Sequence, residues 1–133
     1  MADGIADSEI TIYDAVGAMP FFVGLVDAFY RHVAADEALL RLYPDPVDLG
    51  PARQRLTLFL AQYWGGPTTY SDERGHPRLR MRHAPFAIDS DARDRWLTAM
   101  TAALDEMAPP PDLRARFDAY FDMSAPAMQN IAD

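Results

Sequence analysis

The sequence predicts an all-α protein, and three observations support this fold class. Apolar residues recur at helical spacing in four long segments, glycine or proline ends most of these segments, and no stretch alternates apolar and polar residues as a half-buried strand does. Offsets of three and four residues place side chains on one face of a helix, so each long segment has a face suited to a core.

The composition is that of one globular domain. The chain has 133 residues, half of them hydrophobic, and a net charge of −8. We expect a flexible leader over residues 1–8 and a single domain over residues 9–133. No segment approaches the ~20 apolar residues of a membrane span, and the acidic N-terminus does not resemble a signal peptide, so we expect a cytoplasmic protein with no membrane partner. The absence of cysteine excludes disulfides, thiolate zinc sites and iron–sulfur clusters.

Four helices are predicted in the first half of the chain. The first covers Glu9–Gly17, where glycine suits a left-handed cap, and the second covers Pro20–Ala35. A short helix within "ADEALLRLYP" is stopped by Pro44, and a long one covers Pro51–Trp64. The apolar face of the second helix consists of Phe22, Val26, Phe29, Tyr30 and Val33.

The second half of the chain begins with irregular segments. The glycines and proline in "GGP" should end the preceding helix, and we expect a loop over residues 65–76. A short helix is predicted over Arg78–His83, and a long one over Asp89–Met107. Periodicity supports the long helix through Trp96, Met100, Ala103 and Met107, which share one face.

Prolines shape the end of the chain. Three of them, at 109–111, break the helical pattern, and a final helix is predicted to begin near Asp112. Pro126 lies inside this pattern, where proline removes a backbone donor and clashes with the preceding turn. We therefore expect the helix to kink or end there and the following residues to be weakly ordered.

The stretch "RGHPRLRMRH", from Arg74 to His83, concentrates positive charge in an acidic chain. It holds four arginines and two of the three histidines. Three interpretations compete: a nucleic-acid patch, a solvated loop, and a site for a ligand that bears carboxylates and needs one imidazole. Composition alone favours the loop, and the net acidity disfavours polyanion binding. Haem would suit the third interpretation, because iron takes a proximal histidine and arginine pairs carboxylates in a bidentate way.

Three hydrogen-bond donors lie on, or at the ends of, predicted helices whose apolar faces point inward: Tyr30, Tyr43 and Trp96. A buried hydroxyl or indole N–H needs an acceptor. Each could find a backbone carbonyl, or the three could converge on one pocket. Periodicity does not decide between these alternatives.

Six segments of the chain, in order, resemble the group II truncated haemoglobins, the 2-on-2 globins of bacteria and plants. They are "YDAVG" at 13–17, "FY" at 29–30, "LYP" at 42–44, "FLAQYWGGPTTYS" at 59–71, "RGHPRLRMRHAPF" at 74–86 and "RDRWL" at 93–97. The resemblance implies a truncated-globin fold, in which two helix pairs form a sandwich around haem b, an iron protoporphyrin IX.

The resemblance also implies roles for individual residues around the iron. It makes His83 the proximal metal ligand and assigns the distal hydrogen bonds to Tyr30, Tyr43 and Trp96. Ala52 takes the position at which many globins carry a distal histidine. Leu56, one turn later, is expected to close the distal pocket.

Further roles concern the edge and faces of the haem. The resemblance implies propionate contacts for Arg55, Tyr70 and Arg82. It implies that the porphyrin is lined by Phe59, Leu60, Ile88 and Met100.

These features support two principal hypotheses for function. The first is a binding protein for O2 and other diatomic gases such as CO and NO, in oxygen transport, storage or sensing. The second is a redox enzyme at the same haem, a nitric oxide dioxygenase or peroxidase-like protein, which would need an external reductase. Nucleic-acid binding through residues 74–82 is a third, disfavoured hypothesis that predicts a steep dependence on salt. The sequence leaves open whether the chain forms a homo-oligomer.

Overall fold

A computed structural model describes residues 10–43, 45–76 and 88–130 of the chain. Within these ranges every regular element is an α-helix and no strand occurs, as the sequence predicts. In chain order the helices are α1 (Ile12–Ala15), α2 (Met19–Ala34), α3 (Glu37–Leu40), α4 (Gly50–Tyr63), α5 (Thr69–Arg74), α6 (Ser90–Met107) and α7 (Pro111–Met128). No helix in the described ranges is both long and apolar enough to cross a membrane.

The four long helices pack around one apolar core. Helix α2 lies against both α4 and α6, and α6 also packs against α7. Phe22 and Phe29 of α2 and Phe117 of α7 are completely buried in this core. The ring of Phe21 stacks on that of Phe117 with centroids 5.6 Å apart, which joins the first long helix to the last.

Helix α1 is fixed to the end of α4 by a backbone contact. Thr11 caps α1, since its hydroxyl accepts a hydrogen bond from the backbone N–H of Asp14. The N–H of Tyr13 donates to the carbonyl of Trp64 at 2.9 Å. A Cβ at Gly66 would lie 2.5 Å from the ring of Tyr13 and 2.8 Å from the carbonyl oxygen of Ala61. Only glycine permits this close approach.

The expected loop over residues 65–76 is wrong, because α5 occupies half of it. The side chain of Gln62 accepts the backbone N–H of Ser71 at 3.0 Å and donates to its hydroxyl at 2.7 Å. Tyr70, in the same turn, is buried. Six residues with one buried side chain are too few for a periodic pattern, so the tertiary contacts determine this helix.

The last helix does not end at Pro126, one of the two effects expected of this proline. Helix α7 continues past it to Met128, and the N–H of Gln129 still donates to the carbonyl of Pro126 at 3.1 Å. Asn130 then pairs with Ile88 through two hydrogen bonds. Gln129 and Asn130, the last described residues, are therefore held by specific contacts rather than weakly ordered. The predicted leader at 1–8 and the predicted helix over Arg78–His83 lie outside the described residues.

Candidate functional site

A largely apolar cavity of about 390 Å³ lies among the long helices. Its walls come from helices α2 to α7, together with the segment after α3 and Ile88 before α6. A volume of this size suits an organic cofactor or ligand. The lining residues are Tyr30, Leu39, Leu42, Tyr43, Ala52, Arg55, Leu56, Phe59, Leu60, Tyr70, Arg74, Ile88, Ala92, Arg93, Trp96, Tyr120, Phe121, Ser124, Ala125 and Met128.

Three hydrogen-bond donors meet at one side of the cavity. Tyr30 projects from α2, Tyr43 follows α3, and Trp96 lies on α6. The rings of the two tyrosines lie edge to face, with centroids 5.6 Å apart. A hydrogen bond joins their hydroxyls, and the indole N–H of Trp96 donates to Tyr43. Because an indole can only donate, these bonds do not use every hydrogen-bonding position of the two hydroxyls. The tyrosines can therefore bind a further partner.

Burial keeps both phenols neutral. It raises the pKa of Tyr30 to about 12, although the hydrogen bond with Tyr43 and the positive charges of Arg55 and Arg53 act in the opposite direction. Burial also raises the pKa of Tyr43 well above its ordinary value; the neighbouring Tyr30 adds to this effect, and the bond from Trp96 opposes it. Both hydroxyls therefore retain their protons near neutral pH and can act as donors.

Helix α4 supplies an apolar wall beside the donors. Ala52 and Leu56 are four residues apart and both face the cavity, as do Phe59 and Leu60 one turn later. The small side chain of Ala52 leaves open the space that a larger residue would fill. The ring of Phe59 packs edge to face on Tyr70 of α5, with centroids 5.5 Å apart.

Cationic side chains line the same cavity at three points: Arg55, Arg74 and Arg93. The guanidinium of Arg74 lies 5.9 Å from the centroid of the Tyr70 ring. Arg93 donates to the side chain of Gln129 at 2.9 Å. A cavity with apolar walls, neutral donors and several arginines fits a flat apolar ring that bears acidic groups.

The same architecture occurs in known globins. The bacterial-like globin family model matches residues 11–130. A group 2 truncated haemoglobin of Bacillus subtilis is 36% identical over 118 residues, which cover 89% of this chain and 87% of that protein. The chain belongs to the group 2 truncated haemoglobins.

Solved structures agree with this assignment. A thermostable haemoglobin from the actinobacterium Thermobifida fusca is 53% identical and superposes with a TM-score of 0.89, covering 92% of this chain and 98% of that one. The group II truncated haemoglobin of Bacillus anthracis is 34% identical and superposes with a TM-score of 0.88, covering 93% and 99%. As a truncated haemoglobin, the chain is a haem protein that binds diatomic gases.

The cavity brings together most of the residues singled out in the sequence. Those on its walls are Tyr30, Tyr43, Ala52, Arg55, Leu56, Phe59, Leu60, Tyr70, Ile88 and Trp96. Met100 is buried in the core with 1% of its surface exposed and is not among the described residues that line the cavity. His83 and Arg82 lie outside the described residues of this truncated haemoglobin.

Several lining residues were missed in the sequence: Leu39, Leu42, Arg74, Ala92, Arg93 and five residues of α7. Helix α7 contributes Tyr120, Phe121, Ser124, Ala125 and Met128. Their offsets of 0, 1, 4, 5 and 8 describe one helical face, a signal that the sequence contains but that the haemoglobin resemblance does not single out. Arg93 is another omission, and its position in the first turn of α6 carries no signal that distinguishes it from a solvated arginine.

Proposed function

We propose that this truncated haemoglobin holds haem b through His83 and retains dioxygen beside it through Tyr30, Tyr43 and Trp96. The observation that carries the proposal is the hydrogen-bonded trio of donors at one wall of a largely apolar cavity. When bound, the haem supplies a ferrous iron with an open coordination position for a diatomic gas. The three donors would act on the ligand's outer atom.

The donors would discriminate among gases by polarity. A hydrogen bond to a group that carries charge contributes about 1.5–3 kcal/mol, and each ~1.4 kcal/mol changes an equilibrium constant tenfold. Dioxygen accepts electron density when it binds, whereas CO stays far less polar. Tyr30, Tyr43 and Trp96 would therefore slow the release of dioxygen much more than that of CO.

The remaining lining residues would hold the cofactor. Arg55, Tyr70 and Arg82 would pair with the propionates, because arginine binds carboxylates through two parallel N–H donors. Leu56, Phe59, Leu60 and Ile88 would bury the porphyrin, and area removed from water stabilises it by about 25 cal/mol per Å². Met100, which is buried in the core and is not among the described lining residues, would not contact the ring.

A redox function at the same cavity is the second candidate. Its support is the same donor set, since groups that hold dioxygen also polarise an O–O bond. Nitric oxide dioxygenation or peroxide reduction would each require an external reductase to return the haem to its starting state. The acidic chain, at net charge −8, would suit a reductase with a basic docking face.

The experiment that tests the proposal is an absorption spectrum of the purified protein, first reduced, then oxygenated, then exposed to nitric oxide. We expect a stable oxygenated spectrum with slow release of the gas. Repeated rapid turnover with a physiological reductant would favour the redox function. A protein that takes up no haem would refute both.

Cellular setting and assembly remain predictions from the sequence. We expect the protein in the cytoplasm and without nucleic-acid partners. Binding to duplex DNA that weakens steeply between 50 and 200 mM salt would contradict the second expectation. Sedimentation of the haem-loaded protein would establish whether it forms a homo-oligomer.

A further inference from the structure

Two tyrosines connect the cavity with the protein surface. Tyr120 of α7 lines the cavity and has 9% of its surface exposed, whereas Tyr63, the last residue of α4, is 49% exposed. Their ring centroids lie 4.2 Å apart, with the ring planes inclined by 35°, and no other two aromatic rings in the described part of the chain are closer. We call Tyr63 and Tyr120 the surface tyrosine pair.

The exposure of Tyr63 distinguishes it from the other aromatic residues. All the others that the structure describes are buried or half-buried. The Tyr63 ring packs against Tyr120 and lies 5.1 Å from the ring of Trp64, so it is held in place while its remaining surface is open to solvent. Phenylalanine would make the same ring contacts. The tyrosine adds a hydroxyl group, which lets the ring exchange an electron and a proton together with partners outside the protein.

The inner member of the pair has a partner for its proton. A hydrogen bond joins the hydroxyls of Tyr120 and Ser124, and both side chains line the cavity. Burial raises the pKa of Tyr120 to about 12, the neighbouring Tyr63 adds to this effect, and the bond with Ser124 opposes it. Tyr120 is therefore protonated at neutral pH. Because a serine hydroxyl both donates and accepts, Ser124 can accept this proton when the Tyr120 ring loses an electron.

The phenols of Tyr30 and Tyr43 also border the cavity, but they do not connect it with solvent in this way. Tyr30 is 4% exposed, and Tyr43 packs edge to face against it. An electron taken from either residue would leave a radical inside the protein. Among the described tyrosines that line the cavity, Tyr120 alone is packed against an exposed ring.

We propose that the surface tyrosine pair carries electrons from external phenols or aromatic amines to the haem, so that hydrogen peroxide is reduced by donors that never enter the cavity. The proposal rests on the redox function named above as the second candidate, in which a haem in the cavity reacts with peroxide. The net charge of −8 favours neutral or cationic donors over anionic ones.

Electrons and protons balance over two transfers. In each transfer Tyr120 gives one electron to the peroxide-oxidised haem and its proton to Ser124. Tyr63 then gives an electron to Tyr120, which recovers its proton from Ser124, while the proton of Tyr63 goes to solvent. The external phenol finally gives Tyr63 an electron and a proton. After two transfers the O–O bond of one peroxide is broken, two protons from solvent have completed two waters, and two phenols have become phenoxyl radicals.

Three substitutions test the role of the surface tyrosine pair. Tyr63→Phe removes the exposed hydroxyl and keeps the ring contact with Tyr120. Tyr120→Phe removes the inner hydroxyl and its bond with Ser124. Tyr13→Phe is the matched control, because the Tyr13 ring is stacked on Phe22 and does not line the cavity.

Each ferric, haem-loaded variant is mixed with one equivalent of hydrogen peroxide. Three properties are measured: the electron paramagnetic resonance spectrum after freezing, the residue that carries a nitroso spin-trap adduct, located by peptide mass spectrometry, and the initial rate of guaiacol oxidation. In the unmodified protein and in Tyr13→Phe we expect a tyrosyl signal and an adduct at Tyr63. Tyr63→Phe should lose this adduct and oxidise guaiacol about fivefold more slowly, because the donor must then reach Tyr120, which is 9% exposed against 49% for Tyr63. Tyr120→Phe should lower the amount of adduct at Tyr63.

The outcomes separate this proposal from the function on which it rests. An adduct confined to Tyr30 or Tyr43, or an unchanged rate of guaiacol oxidation in Tyr63→Phe, would overturn the role of the pair and leave gas binding intact. An equal loss in Tyr13→Phe would also overturn it. If Tyr120→Phe does not fold, the exposed Tyr63→Phe decides the question alone. An unmodified protein that binds haem and dioxygen but does not react with peroxide would refute both the pair and the redox function.

Discussion

Arg95 Nη1 lies 2.9 Å from one carboxylate oxygen of Asp36 and 3.1 Å from the other. Arg95 is the neighbour of Trp96 on α6, and Asp36 caps the short helix α3 that leads to Tyr43. Asp91, one turn earlier on α6, holds Arg95 from the other side through a 2.7 Å contact with Nε. The ion pair of Arg95 with Asp36 thus links helix α6, which carries Trp96, to helix α3, which leads to Tyr43. Trp96 and Tyr43 share a hydrogen bond in the cavity.

We expect Arg95→Gln to lower stability near neutral pH and to lose this effect in acid. Desolvation raises the pKa of Asp36. The hydrogen bond and positive charge of Arg95, together with the backbone N–H groups at the start of α3, outweigh this effect. The pKa of Asp36 therefore lies below its ordinary value. The folded state therefore binds its proton less readily than the unfolded state, and the stabilisation is present above the ordinary pKa of about 4 and lost as the pH falls below it. Thermal unfolding of both proteins between pH 3 and 7 tests this. A difference in stability that is constant over this range would contradict it.

Trp96→Phe should raise the rate of oxygen dissociation at least tenfold, because one hydrogen bond to a charge-bearing ligand is lost and each ~1.4 kcal/mol is a factor of ten. Stopped-flow measurement of oxygen release gives the rate. The control is Trp64→Phe, since the buried Nε1 of Trp64 has no hydrogen-bond partner among the described residues and this side chain does not line the cavity. An unchanged rate in Trp96→Phe would remove Trp96 from the mechanism.

Alkaline titration should reveal the buried tyrosines. Burial raises the pKa of Tyr30 to about 12 and moves that of Tyr43 in the same direction. The unfolded chain releases these protons near pH 10, so stability should be lost as the pH rises from 10 towards 12, by about 3 kcal/mol for Tyr30 alone. Tyrosinate absorbance and circular dichroism should therefore change together. Tyr30→Phe should remove one tyrosinate from the titration between pH 10 and 12. Titration of all six tyrosines near pH 10 would contradict the buried network.

His83→Ala should abolish stable haem uptake or leave a grossly altered Soret band, since no other imidazole is expected at the iron. His32→Ala is the matched control, because Nε2 of His32 contacts Glu106 at the protein surface. Absorption spectra of the reduced proteins provide the comparison. A normal five-coordinate ferrous spectrum in His83→Ala would show that another residue binds the iron.

Local signals were sufficient for most of the fold. The long helices have apolar faces and clear stops. The predicted bounds of α2, α4 and α6, and the predicted start of α7, differ by at most one residue from those in the structure. Helix α5 was missed because its stability comes from Gln62, an unremarkable residue of another helix whose amide groups pair with Ser71. The residues after Pro126 were misjudged for the same reason, since Asn130 is held by the distant Ile88.

The site shows the same division. Periodicity predicts inward faces for Tyr30, Tyr43 and Trp96 but does not predict that they meet. The resemblance to the truncated haemoglobins implies that they converge. In the structure all three line one cavity. Arg93 was missed because a single arginine on a helix has many ordinary uses. The resemblance implies a porphyrin contact for Met100, whereas in the structure this side chain is buried in the core and is not among the described residues that line the cavity. Spacing specifies which face of a helix turns inward, but not which inward residues border an opening.

The contact between Gly66 and the ring of Tyr13 limits how this protein can evolve. A single added methyl group would collide with that ring and with the carbonyl of Ala61, which is backbone and cannot swing aside. The displaced first helix would uncover Phe22, on which Tyr13 is stacked. Mutations on the cavity wall can therefore adjust gas affinity. Gly66, in contrast, tolerates no other residue, although it lies outside the cavity.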